Sequence, residues 1–358
     1  MSWQTDRVHL GLRIATAFTC GIGVLVAAGP VAAAPTTACV VNDARLDEVS
    51  GLVATPTGYI AMNDGKFGTS VLRLYVLDPQ CRVTKVITDR SFDPLDPEDL
   101  ARTSDGTLWV ADIGDNDRER DRVAINRIPP GSSRGTTYRL TYPDGAHDAE
   151  ALLVQADRRA VLVTKALTGT AQIFVSTRPL TGPPATVPMR LAGSVDITPT
   201  DTTGGPDVGG FASTLVTGAA LSPDGRRVVI RTYTDAYEWD VSDGDIAKGM
   251  TAEEPRRTPL PGEPQGEAIT FTVDGAGYLT TSEGAGEPIQ RWLRPLTSTP
   301  TVPTAPASPS ATASAARATE KKTPVVSPLA IGGLAAFGAV LILGGLVGLR
   351  RARRRSRR

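Results

Sequence analysis

Short apolar runs, each broken by a polar turn, recur along the middle of the chain, and this pattern predicts β-strands rather than long helices. One unit repeats: an acidic or polar residue, a short apolar strand, a turn, then a second apolar strand ending in polar groups. Its copies start at Glu48, Glu98, Glu150, Thr217 and Glu267, at spacings of 50, 52, 67 and 50 residues. The turns read Asp105-Gly106, Asp157-Arg158, Asp224-Gly225 and Asp274-Gly275, whereas the first copy carries two extra turn residues before Tyr59-Ile60-Ala61-Met62. Asp-Gly between two apolar runs marks a tight hairpin that needs a positive φ.

Further strand-like runs follow each pair, such as Val71 to Leu77 and Arg82 to Ile87. Four short strands per repeat predict an all-β chain, a five-bladed β-propeller over residues 35–296, with six or seven blades as the alternative. The last copy holds three strands, 267–272, 277–282 and 288–293, before the pattern stops. The missing outer strand is expected from Ala38 to Asn42, which would close the ring and cover a sheet edge. The longest interval is too short for a further blade, so its Pro/Gly-rich surplus around Pro199 to Gly210 reads as a long loop.

The two ends have another character. Residues 1–34 combine Arg7 and Arg13, an apolar run and Ala32-Ala33-Ala34, which reads as a secretory signal peptide. Residues 297–327 are rich in Pro, Ser, Thr and Ala and lack the apolar content for a core, so they read as an extended stalk. The uncharged stretch Leu329 to Leu349 has the length of a transmembrane helix and sets the span at 328–349. The arginine-rich tail 350–358 belongs on the cytoplasmic side. The expected protein is therefore a single-pass cell-membrane protein, N-out and C-in, with an extracytoplasmic body. Of the three cysteines, Cys39 and Cys81 lie in that body and should pair in an oxidising compartment.

Composition changes the functional picture more than the fold. The formal net charge is zero, but residues 35–319 hold 27 basic against 36 acidic residues, a net of −9. That balance argues against nucleic acid as a partner. With two histidines, His9 and His147, a histidine-rich metal cluster is excluded, and a Ser-His-Asp triad could use His147 alone. Arginine-heavy, lysine-poor usage with abundant Ala, Gly, Pro and Thr suggests a high-GC bacterial source.

In a ring of such sheets, the start of each first strand and the end of each second strand meet at one mouth of the central channel. The candidates brought there are Glu48, Asn63, Asp64, Glu98, Asp112, Glu150, Lys165, Arg231, Glu267 and Glu283, with Thr217 at the remaining start. Clustered carboxylates need a counter-charge, and a hard cation such as Ca²⁺ would supply it. The densest oxygen-donor run, Asp112-Ile113-Gly114-Asp115-Asn116-Asp117, makes Asp112, Asp115, Asn116 and Asp117 candidate metal ligands, against the plainer reading of an acidic turn capped by nearby arginines. His147 reads first as a surface-loop residue and second as a base, and Trp109, Trp239 and Trp292 read as blade packing.

The Asp-Gly turns, clearest in Ser222-Pro223-Asp224-Gly225-Arg226, and the carboxylates at the expected mouth resemble TolB-like and SMP-30/gluconolactonase-like propellers over residues 40–295. Some propellers of that kind are cation-dependent lactonases or phosphoesterases, and others only bind partners, so the resemblance implies architecture first. No phosphate-binding cluster of Lys and Arg accompanies it, which argues against phytase-like activity. Two functions follow as expectations. One is a tethered binding or scaffold module for a protein, glycan or small-molecule ligand, with a cation at the mouth. The other is a divalent-cation-dependent hydrolase, lactonase- or esterase-like, using the same pocket. The catalytic residues are unknown from sequence.

Overall fold

The computed structural model describes residues 34–65 and 71–294. In chain order the strands are β1 (Thr36–Val40), β2 (Val49–Thr55), β3 (Gly58–Asn63), β4 (Leu72–Leu77), β5 (Val83–Asp89), β6 (Pro97–Arg102), β7 (Leu108–Asp112), β8 (Val123–Ile128) and β9 (Thr136–Thr141). They continue with β10 (Ala149–Val154), β11 (Ala160–Thr164), β12 (Thr170–Ser176), β13 (Ala185–Asp196), β14 (Val216–Leu221), β15 (Arg227–Thr232) and β16 (Asp235–Asp240). One helix, α1 (Ile246–Ala252), precedes β17 (Arg256–Pro259), β18 (Gly266–Phe271), β19 (Gly277–Ser282) and β20 (Pro288–Leu293).

The repeat unit folds as its turns demand. Gly106, Gly225 and Gly275 take φ of 84°, 70° and 66°, and Arg158 takes 70° at the matching place of the Asp157-Arg158 turn. In each turn the Asp side chain accepts the amide two residues on: Thr107, Arg159, Arg226 and Ala276 donate to Asp105, Asp157, Asp224 and Asp274. Such Asx turns hold the hairpin by contacts local in the chain.

The sheets are antiparallel meanders, β2-β3-β4-β5 and β14-β15-β16-β17, and a third built as β18-β19-β20 with β1 added beyond β20. The remaining eight strands form one sheet, because the first half of β13 pairs in parallel with β9 while its second half pairs with β12. The first strands form a closed circuit: β2 packs on β6, β6 on β10, β10 on β14, β14 on β18, and β18 on β2. This is propeller architecture, nearly all β. The core is the set of apolar layers between neighbouring four-strand meanders, two of which are joined in the eight-stranded sheet. One layer buries Leu153, Val163 and Ile173 against Val228, Ile230 and Trp239, and the next buries Trp109, Ile125 and Tyr138 against Leu152, Leu162 and Phe174.

The closing strand falls two residues earlier than the expected Ala38–Asn42. Its register sets Cys39 opposite Ile289 across a bulge and brings Cys39 to Cys81, whose disulfide spans a Cα–Cα distance of 5.7 Å. The expected long loop between β13 and β14 is tied down by buried Asp235, which accepts Thr200 Oγ1 at 2.7 Å and Thr202 Oγ1 at 2.9 Å. Among the described residues no helix is long and apolar enough to cross a membrane. The signal expected at 1–34 (Ala34 aside), the stalk at 297–327, the span at 328–349 and the tail at 350–358 lie outside the described residues.

Buried Glu238 on β16 joins two neighbouring sheets and the end of the last strand. It accepts Arg256 at 2.9 Å, both Arg294 nitrogens at 2.6 and 2.7 Å, and the Tyr278 hydroxyl. Burial would raise its carboxyl, but the bonds from Arg294, Tyr278 and Arg256 hold it below its ordinary value of 4.5. A depressed folded value adds stability above the ordinary pKa and loses it as pH falls through the folded value. Glu238→Gln should therefore destabilise the protein by on the order of 3 kcal/mol at pH 7. The deficit should shrink in urea titrations at acid pH. The covalent closure has its own check. Cys81→Ser should lose about 4 kcal/mol for the loop of that size. Reductant should reproduce the loss in the wild type and leave the variant unchanged.

Candidate functional site

Every inner hairpin carries the same irregularity. The pairing slips between Val49 and Gly51, Pro97 and Asp99, Ala149 and Ala151, Val216 and Gly218, and Gly266 and Ala268. A bulge of this kind sets two residues against one and turns a side chain out of the ladder. The residues so placed are Ser50, Glu98, Glu150, Thr217 and Glu267, all buried. The first repeat is therefore corrected: Ser50, not Glu48, matches the three glutamates. The two extra residues assigned to its turn belong ahead of the strand. Glu48 instead belongs to the entry loop, its amide donating to Asn63 Oδ1 at 3.4 Å and its carbonyl accepting Asp64 N at 2.8 Å. Asn63 also donates to Asp47 at 3.1 Å, so its amide holds that loop together.

Around the bulges the acids do converge. Asp64, just after β3, Asp96, just before β6, and Glu98 each offer a carboxylate oxygen, all within 4.8 Å of one another. Gly114 lies against this group: a Cβ there would sit 2.2 Å from Glu98 Oε1 and 2.7 Å from Asp96 Oδ2. The Gly114 amide donates to Asp96 O at 3.1 Å, and Arg120 holds the Gly114 carbonyl at 2.7 Å. Lys165, just after β11, reaches Glu150 Oε1 at 3.0 Å and lies 5.0 Å from the centre of the Tyr233 ring.

The electrostatics follow from burial. Burial pushes Glu98 well up, and Glu150, Asp64 and Asp96 push it further. Glu150 is raised by burial against the pull of Lys165. Glu267 rises to about 7 and Glu283 to about 8, again chiefly by burial. Burial alone would lower Lys165, but Glu150, Tyr233 and Glu267 hold it above its ordinary value, so it stays a cation. Acids this close cannot all ionise together without a further positive charge.

Other candidates are placed elsewhere. Arg231 is fully buried and bonds to Thr232 O, Ala268 O, Tyr233 O and Glu263, at 2.8 Å to the last. It is a strut in the wall, and its charge acts with that of Lys165 to hold Glu267 down against burial. Among the described residues the run Asp112-Asp115-Asn116-Asp117 is not drawn together as a group of carboxylate ligands. Asp112 accepts the amides of Leu95 and Asp96, and Asp115 those of Glu119 and Arg120, while Asn116 and Asp117 face outward. Among the described residues the carboxylate group that could hold an ion is the one at Asp64, Asp96 and Glu98. Gln265 donates to Glu283 beside Glu267. His147 pairs with Asp144 at 2.8 Å and packs against Tyr142 and Phe174. The indoles of Trp109, Trp239 and Trp292 are buried and donate to Thr103, Glu253 O and Thr280.

Sequence reasoning missed Asp96, Tyr233, Glu263 and Asp99. Asp96 had a readable signal, two residues ahead of a repeat start. Asp99 had another: at its position the other repeats carry Gly51, Ala151, Gly218 and Ala268. Its carboxyl crosses the channel to accept Leu152 N at 2.7 Å and Ala219 N at 3.3 Å, besides Leu100 N at 2.8 Å. Burial raises it to about 8 despite these three amides.

The described residues thus form a nearly all-β, propeller-type fold that gathers an acidic, largely buried group of side chains. No protein-family model and no curated protein sequence matches it. Solved structures with a similar fold include a chain of a nidogen/laminin complex, at 13% identity and TM-score 0.37, covering 65% of this chain and 72% of that one. Another is the gluconolactonase XC5397 from Xanthomonas campestris, at 14% identity and TM-score 0.36, covering 65% and 68%. A chain of the mitotic checkpoint complex matches at 13% identity and TM-score 0.35, covering 68% of this chain and 60% of that one, less than two thirds of its length. Likeness of this order concerns architecture and not chemistry.

Gly114 offers a direct check on the site. Gly114→Ala should drive Glu98 and Asp96 apart with little effect on the distant cores. Any divalent-ion affinity measured by calorimetry should fall by about tenfold, or ~1.4 kcal/mol, while the unfolding midpoint moves little.

Proposed function

We propose that this protein is a membrane-tethered, extracytoplasmic five-bladed propeller, the eight-stranded sheet being two blades joined at their outer strands. Its acidic mouth binds a divalent cation as part of a ligand-binding module. The observation that carries the reading is the convergence of Asp64, Asp96 and Glu98 within 4.8 Å from two neighbouring sheets. An all-oxygen, carboxylate-rich donor set suits a hard ion, Ca²⁺ before any soft metal. Among the described residues Lys165 is engaged with Glu150 and Arg231 with Glu263, and a bound cation would add positive charge where burial and neighbouring acids raise Glu98. The topology fits a tether. β1 begins and β20 ends away from the acids, with Thr36 paired to Arg291, so both flanks leave from the end opposite the mouth. An anchored molecule would present its acids outward.

A hydrolytic reading has one observation in its favour. Glu267 and Glu283 carry values near neutrality, where a general base or acid works best.

Calorimetric titration of the full chain in lipid nanodiscs with CaCl₂ tests the binding reading. One ion per chain is expected, with affinity reduced by about a hundredfold (~2.7 kcal/mol) in the double variant Asp96→Asn, Glu98→Gln. Absence of saturable heat, or equal binding by the variant, overturns it. Turnover of a simple lactone or aryl ester that disappears in Glu283→Gln with ion binding intact would shift the reading to the enzyme.

A further inference from the structure

The end of the channel away from the acids has a chemistry of its own. Where the inner hairpins spread toward their turns they enclose a cavity of about 530 Å³, within the range of about 300–1,000 Å³ typical of small-molecule sites. Val53, Leu100, Leu152, Leu221 and Phe271 supply apolar wall. First strands of the sheets also turn an unpaired edge of backbone N–H and C=O groups toward the channel. Asp99 forms the partition. The residues whose amides it takes, Leu100, Leu152 and Ala219, line the cavity, and the neighbouring residue Glu98 belongs to the acid cluster. Mouth and cavity are therefore back to back, with one buried carboxyl between them.

Charge separates the two ends. Of the ionisable groups that line the cavity, Asp224 is taken up by Ser222 Oγ and the Arg226 amide, and Arg158 is paired with Asp105 at 2.8 Å. Arg102 is exposed, lines the same cavity, and has no ion-pair partner among the described residues. The cavity thus joins apolar wall to one uncompensated guanidinium, the group best suited to a carboxylate through paired N–H donors. A cationic ligand would prefer the opposite mouth.

We propose that this cavity is a second ligand site, for a small monocarboxylate with an apolar body. The carboxylate meets Arg102 and the body lies against Leu100, Leu152 and Phe271. This assignment does not depend on the cation reading of the acidic mouth.

The probe is 4-fluorophenylacetate, followed by fluorine NMR on the full chain in lipid nanodiscs, with empty nanodiscs as the blank and 4-fluorobenzyl alcohol as the neutral control. Saturable binding of the acid is expected, about tenfold weaker in Arg102→Gln. The alcohol should bind more weakly and be indifferent to that change. Ser104→Trp, a substitution at an exposed turn residue lining the cavity, should block acid and alcohol alike. Arg102 and Ser104 are both exposed, so an unchanged thermal transition should confirm that each variant folds. Unchanged calcium titration in both variants would keep the two sites distinct. No saturation beyond the blank, equal affinity of acid and alcohol, or wild-type affinity in Arg102→Gln would each overturn the proposal.

Discussion

The register of the inner hairpins governs this molecule. Each first strand pairs with its neighbour through the same two-against-one slip, and the slipped residue leaves the ladder at one height of the ring. A strand without the slip would alternate its side chains strictly between the two flanking cores. Glu98, Glu150 and Glu267 would then have to be buried in apolar layers, where an unpaired carboxylate is costly. With the bulge they share one polar orifice, and each neighbouring layer stays apolar.

Gathering acids in one place creates the electrostatic problem that gives the mouth its chemistry. Lys165 answers part of it, through Glu150 at 3.0 Å and the face of Tyr233. Tyr233 is in turn packed with Ala212 and Leu215, so the long loop before β14 helps position the lysine. Arg231 is drawn off by Glu263 and three carbonyls, and its guanidinium fills the space that any side chain at position 266 would take. Burial raises Glu98, Glu150, Glu267 and Glu283, so a proton or a nearby positive charge stabilises each of them. Burial keeps the proton option open, and the closeness of Asp64, Asp96 and Glu98 keeps the cation option open.

Closure of the ring sets which end does what. Strand β1 completes the last sheet from the far end of the chain, and the Cys39–Cys81 disulfide ties it to the first sheet. The start of β1, the end of β20 and the apolar cavity then share one side, with the acids on the other. Asp99 keeps the two apart by taking amides from β10 and β14, a role open to it because Gly51, Ala151, Gly218 and Ala268 leave the centre of the ring free.

Much of the architecture was legible in the residues. The Asp-Gly turns, their spacing, the apolar alternation and the cysteine pair are local or chemical signals, because a positive φ, a pleat and an oxidised thiol need no distant partner to be recognised. The convergence of Glu98, Glu150 and Glu267 followed from the repeat alone. Other features needed the fold. A bulge is decided by how two strands pair, so the first repeat put Ser50 where Glu48 had been expected. The acidic run at 112–117 looked like a metal loop, yet Asp112 and Asp115 are engaged by backbone amides that folding brings to them. Asp64 joins Asp96 and Glu98, and Asp99 on β6 reaches β10 and β14, only because strands distant along the chain close into a ring. Residue type and spacing determined the strands and the kind of chemistry; which carboxyl meets which partner was decided by tertiary packing, since those contacts span loops of dozens of residues.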